Sequence, residues 1–310
     1  MKSVHRKSPG LTESQFGFLL VVPAIAVFLG VLFYPLINSI VMSFMNRSML
    51  SPEQSFAGLD NFRAIAADPN FSDVLINTLI FVAAGTFFPF VLGFVWSIVL
   101  HQGFKGAAFL RSLTLVNWVL PGTAIGFLWM WVFQGNYGIV NGILTSLHLT
   151  DDNINWLGST EYALLVVIIA NTWKGIPWFM AFLFGGLLSI PREHVEAARI
   201  DGAGNINVFR RIVLPSMKPV ILIVLLLGAI SNLQHFDLLW IMAEGGPVKA
   251  TTTLAVEVYR SAFREWDLGK AAAIGVVWVV LLSAFGFFYL RGMRDEVKCP
   301  ALQIYIIGGD

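Results

Sequence analysis

The chain has 310 residues, of which 56% are hydrophobic and only 13% charged, and its formal net charge is +1. Soluble domains carry about 25% charged residues, so the composition excludes an ordinary water-soluble fold, gives no reason to expect nucleic acid, and points to membrane lipid as the solvent. A single cysteine, Cys299, excludes an internal disulfide and a cysteine-built metal centre.

Residues 1–15 are polar and basic, and they read as a cytoplasmic N-terminal segment. The apolar block that follows is too long for a cleaved signal peptide, so it is expected to stay as a first span. A bilayer core of about 30 Å needs about 20 apolar helical residues. Six blocks meet this: 16–44, 74–100, 107–133, 162–190, 219–242 and 271–290. The expected fold class is therefore all-α, a polytopic bundle of six transmembrane helices over residues 16–292, followed by a cytoplasmic tail over 293–310. The last stretch, CPALQIYIIGGD, has no reading.

Lysines and arginines set the orientation. They cluster before the first block (Lys2, Arg6, Lys7), after the second (Lys105, Arg111), between the fourth and fifth (Arg192, Arg199, Arg210, Arg211, Lys218) and after the sixth (Arg291, Arg294, Lys298). The opposite side holds Arg47, Arg63, Lys249, Arg260, Arg264 and Lys270, roughly half as many. Both termini are thus expected inside. Five prolines fall within the first four blocks: Pro23, Pro35, Pro89, Pro121 and Pro177. Each removes a backbone donor, and the carbonyl it frees must find another partner in the bundle or a cavity.

Polar groups at membrane depth are costly and face the bundle interior. The candidates are Asn77, Asn117, Asn171, Asn232, Gln234, His235, Lys174 and Asp237. Trp118, Trp173 and Trp278 add faces of the kind that bind sugars. Each has a plain alternative. Asparagines bind helix to helix, tryptophans form interfacial belts, and Lys174 with Asp237 forms a structural ion pair. His235 has no other histidine or cysteine nearby, which makes it a poor metal ligand. No glycine-rich phosphate loop with lysine is present, so ATP is not expected on this chain, and no nucleophile–base set points to an enzyme.

Between the fourth and fifth blocks, residues 191–215 form a charged loop. REHVEAARI reads as a short helix after Pro191, with Val195 and Ala198 on one side. DGAG breaks it at Gly202 and Gly204, and Asn205 is placed to cap a second short helix, INVFRRIV, ending at Leu214–Pro215. The pattern Glu196-Ala197-Ala198, three residues, Gly202, nine residues, Ile212, one residue, Leu214-Pro215 resembles the EAA signature of the membrane subunits of bacterial binding-protein-dependent ABC importers. GLDNF (58–62), WKGIPWFMAFLFGGLLSIP (173–191), HFDLLWIMAEGGP (235–247), TTTL (251–254) and YRSAF (259–263) resemble the carbohydrate branch, and the order of features is similar to its maltose- and glycerol-3-phosphate-type first permease subunits.

The resemblance implies a type I importer permease of the bacterial inner membrane that moves a sugar or oligosaccharide. It implies a second homologous permease subunit, two ATP-binding subunits holding ATP and magnesium, and a periplasmic or lipoprotein solute-binding protein. It places Glu196, Ala197, Ala198, Asp201, Gly202 and Gly204 at the ATPase contact. Lys174 is the only lysine or arginine far from the ends of a block, which favours a neutral solute over glycerol-3-phosphate. A six-span membrane enzyme or sensor is the reading from a different class.

Overall fold

The structure is a computed structural model that describes residues 13–297. Most of the expected terminal segments, Cys299 included, lie outside the described residues. Helix α1 (Glu13–Val27) passes through a π-helical turn (Phe28–Phe33) into α2 (Tyr34–Ser43). Strands β1 (Met45–Arg47) and β2 (Gln54–Phe56) form an antiparallel hairpin that pairs Met45 with Phe56. Then come α3 (Asp60–Ala67), α4 (Phe71–His101), α5 (Ala107–Val119), α6 (Gly122–Val132), α7 (Ile139–Ser146), α8 (Ala163–Leu188), α9 (Arg192–Ile200) and α10 (Asn205–Val208). A second π turn (Phe209–Val213) leads into α11 (Leu214–Leu233), followed by α12 (Asp237–Ala243), α13 (Leu254–Phe263) and α14 (Leu268–Val297).

Five continuous helices are long and apolar enough to cross a membrane: Gln15–Ser43, Phe71–His101, Ala163–Leu188, Asn205–Leu233 and Leu268–Met293. The sixth expected span is the pair α5 and α6, bent by 97° at Leu120–Pro121. The residue before a proline is pushed out of the α region, and Leu120 is extended at φ −66, ψ 135.

Two expectations are corrected. The fifth span does not run over 219–242. It ends at Leu233, and Asp237 opens a separate short helix instead of lying within a span. Nor does the helix after Gly204 stop at Leu214–Pro215; it continues through Pro215 into α11, and Asn205 makes no side-chain cap, Gly204 holding the N-cap position. The two π turns explain how proline is tolerated there. A proline ring collides with the carbonyl four residues back. For Pro35 and Pro215 those carbonyls belong to Val31 and Arg211, both inside a π turn. The turn is widened by one residue, as the bonds from Tyr34 N–H to Leu29 O and from Leu214 N–H to Phe209 O show.

The core is built around α4, α8 and α11. Phe179, Leu183 and Leu187 of α8 bury against Met217 and Val224 of α11. Close approach of α4 and α8 depends on Gly93: a Cβ there would lie 2.8 Å from Phe179 Cβ and 2.9 Å from the Met180 backbone nitrogen. A buried polar node joins the same three helices. Pro89 leaves the carbonyl of Gly85 without its intrahelical donor, and Asn232 Nδ2 donates to it at 2.9 Å, while Asn171 Nδ2 donates to Asn232 Oδ1 at 2.8 Å. The first span is different in kind. None of its most apolar window is buried by the rest of the chain, and it is held through α2 against α14.

Candidate solute cavity and coupling loop

A cavity of about 120 Å³ opens among α4, α8 and α11 beside the bend of the third span. Five of the sequence candidates line it: Trp118, Asn171, Lys174, Asn232 and His235. Sequence reasoning left out Ser231 and the glycines that make room for the cavity; a serine one residue before Asn232 in an apolar block was the available signal.

Two helix discontinuities meet here: the bend at Leu120–Pro121, next to Trp118, and the break between α11 and α12, which carries His235. Lys174 Nζ lies 3.5 Å from Asp237 Oδ2. His235 Nε2 lies 3.3 Å from Asp237 Oδ1 but is misaligned for a hydrogen bond. Gly122, the first residue of α6, packs against this pair. An added Cβ would collide with the Asp237 carboxylate and stand 2.7 Å from Lys174 Nζ.

The remaining candidates are placed elsewhere. Asn117 Nδ2 donates to Trp173 O at 2.7 Å, and both residues face a neighbouring groove. Gln234 is exposed at the helix break. Trp278 packs beside the cluster of Ile65, Val74 and Ile274. Asn77, near the start of α4, donates to the carbonyls of Lys249 and Thr252. Around it Lys249 Nζ meets Glu257 Oε1 at 3.1 Å and Asp68 Oδ2 at 3.9 Å. The Asp68 carboxyl is held below its ordinary range, chiefly by a hydrogen bond from the Asn70 backbone N–H. These five candidates, Asn77, Asn117, Trp173, Gln234 and Trp278, do not line the cavity.

At the far end of α8, the first half of the charged loop, residues 191–204, folds as its sequence reads. Helix α9 has Glu193 in its first turn and Arg199 in its last, both favourable to the helix dipole. It closes with Gly202 at φ +81, where Gly202 N–H donates to Arg199 O and Ala203 N–H to Ala198 O. That bond pair is the Schellman motif, which wants glycine. Glu196, Ala197, Asp201, Gly202 and Gly204 are exposed, while Val195 and Ala198 are half-buried toward the body. Ile200 and Ile206 flank the turn and are 87% and 75% exposed. Sequence reasoning passed over both, although two apolar residues beside a polar turn were visible in the chain.

The architecture is a polytopic helical bundle with broken helices around an internal cavity and a short surface helix between two spans. The chain belongs to the family described as binding-protein-dependent transport system inner membrane component, whose model matches residues 85–293. It is similar to the trehalose/maltose transport system permease protein MalF of Thermococcus litoralis, at 30% identity, covering 90% of this chain and 94% of that one. It is also similar to the sn-glycerol-3-phosphate transport system permease protein UgpA of Yersinia enterocolitica, at 28% identity, covering 94% and 98%. Among solved structures, a chain of a bacterial ABC transporter involved in the import of the acidic polysaccharide alginate superposes with a TM-score of 0.81 at 20% identity, covering 91% of this chain and 96% of that one. The likeness to the solved structure carries the fold. The family makes the protein an inner-membrane component of a binding-protein-dependent transport system.

Proposed function

We propose that this permease passes a sugar or oligosaccharide, delivered by a periplasmic or lipoprotein solute-binding protein, through the cavity beside Lys174. The observation that carries this is the convergence of two helix breaks, α5 to α6 and α11 to α12, on one polar cavity. Discontinuous helices at membrane depth surround transported solutes in many carriers. Trp118 and Trp178 supply flat apolar faces there, and Asn171, Ser231, Asn232 and His235 supply polar ones. Ligand sites enclose about 300–1,000 Å³, so a cavity of about 120 Å³ is one wall of a larger chamber. A second homologous permease subunit supplies the other wall.

Energy enters through the coupling loop. Glu196, Ala197, Ala198, Asp201, Gly202 and Gly204, with Ile200 and Ile206 beside them, dock one of two ATPase subunits. Those subunits hold ATP and magnesium, and this chain is not itself an enzyme. The loop and both termini face the cytoplasm, residues 16–292 form the permease domain, and ATP-driven closure turns the cavity outward. A second reading, a glycerol-3-phosphate permease, has the relative named for that solute in its favour.

The test is uptake of labelled mono-, di- and oligosaccharides and glycerol-3-phosphate by cells carrying the complete importer, wild type against Gly202→Asp. Loss of one sugar in the variant supports the reading. Loss of glycerol-3-phosphate alone selects the second, and no difference for any solute with both proteins inserted removes the coupling role.

A further inference from the structure

Among the residues lining the cavity, Lys174 is the one with a permanent charge, and His235 is the one other ionisable group. A lone ammonium in apolar surroundings is a strong anion site, because its hydration has been stripped and it seeks a charged acceptor. Here the ammonium is not alone. Asp237 Oδ2 stands 3.5 Å away, and the same carboxylate lies 3.3 Å from His235 on its other oxygen.

The arrangement is built, since three separate elements are needed for it. Lys174 comes from the middle of α8 and Asp237 from the first residue of α12. Gly122, opening α6 after the sharp bend, leaves the space in which the carboxylate sits; any side chain there would strike it. The carboxylate is also not sealed away: its side chain is 41% exposed, against 22% for Lys174. Asp237 does not itself line the cavity, but an anion that pairs with Lys174 there must share the ammonium with a carboxylate 3.5 Å behind it. A neutral hydroxylated solute meets a local dipole with donors on one side and an acceptor on the other.

We propose that Asp237 sets the charge of the transported solute. By neutralising Lys174 it restricts the cavity to uncharged hydroxylated molecules and turns away sugar phosphates and other anionic sugars. This rests on the reading that the cavity takes the solute, and it adds the class of solute and the residue that enforces it.

The test is equilibrium binding to the purified complete importer, wild type and variants. The probes are maltose, trehalose, glycerol-3-phosphate, glucose-6-phosphate and glucosamine. Wild type is expected to bind a neutral sugar and neither phosphate. Asp237→Asn unmasks the ammonium and should raise affinity for a phosphate probe about tenfold or more, in a salt-sensitive way. Asp237→Asn combined with Lys174→Met should erase that gain. Lys174→Met alone reverses the sign of the site and should favour glucosamine over neutral sugars, which keeps the proposal open to refutation if Asp237→Asn fails to assemble. Wild type binding phosphates as well as sugars would overturn the filter, as would assembled Asp237→Asn with no phosphate gain or assembled Lys174→Met with no glucosamine gain. Absence of any sugar binding to wild type would instead overturn the sugar reading, while the phosphate and glucosamine arms still decide the filter.

Discussion

Asn117 Nδ2 donates to the carbonyl of Trp173 at 2.7 Å, and that carbonyl is the one Pro177 leaves without its helical donor. The same arrangement recurs on α4, where Pro89 frees Gly85 O and Asn232 fills the vacancy. Two asparagines thus stand in for two missing peptide N–H groups, each reaching from a neighbouring helix. Each proline is thereby accommodated inside a continuous helix, its freed carbonyl held from outside the helix that bears it.

A double-mutant cycle tests the first pair. Asn117→Ala should lower stability by about 1 kcal/mol, the scale of interhelical hydrogen bonds in membranes. Pro177→Ala returns an N–H to Trp173 O, so the double variant should recover much of that loss. Unfolding in mixed detergent micelles measures it, and strictly additive effects would refute the substitution of one donor for the other.

Gly93→Ala should separate α4 from α8. The added methyl meets backbone and a Cβ, neither of which moves aside cheaply, so a loss of about 1–3 kcal/mol is expected. A melting temperature unchanged from wild type would show that the crossing has slack.

At the outer cluster, Lys249 neutralises Glu257, a side chain only 2% exposed. Removing one partner of a buried pair costs about 3–5 kcal/mol, and Lys249→Met should fall at the low end because Lys249 keeps some solvent. Adding Glu257→Gln removes the stranded charge and should restore most of the stability. Thermal unfolding of both variants decides it; no rescue would mean that the charge is not the source of the cost.

Gly202→Asn separates folding from docking. Asparagine tolerates the left-handed conformation, and a Cβ at Gly202 meets nothing within 4 Å. The chain should therefore insert and fold normally, while solute uptake and ATPase co-purification fall by about tenfold or more, the loss of roughly one docking contact. Normal uptake would show that the partner leaves this face free.

Much of this was legible in the sequence, for local reasons. Helix α9 and its glycine turn follow from Pro191, Arg199 and Gly202 within one short segment. The long apolar blocks give α4, α8 and α14 directly. The bend at Leu120–Pro121 had a proline to announce it, but its 97° depth depends on what α6 packs against. The break after Leu233 has neither proline nor glycine, only Gln234 and His235 interrupting an apolar run. The pairing of each asparagine with a particular freed carbonyl is tertiary. Prolines and asparagines are visible in the chain, but their alignment across helices is not. For Asn117, Asn171 and Asn232 the helix-binding alternative describes the contacts made, and two of the three still line the cavity.

The π turn at Phe209–Val213 has a geometric consequence for the coupling loop. One residue more than an α turn needs is stored between α10 and α11. Deleting any single residue there would return the stretch to α geometry, rotating α9 by about 100° around the α11 axis and drawing it about 1.5 Å closer. Ile200, Ile206 and the Gly202 turn would then point along a different bearing with every side chain intact. The loop's aim is therefore written in the count of residues between it and the membrane, and a one-residue deletion there should disable it as thoroughly as a change on its face.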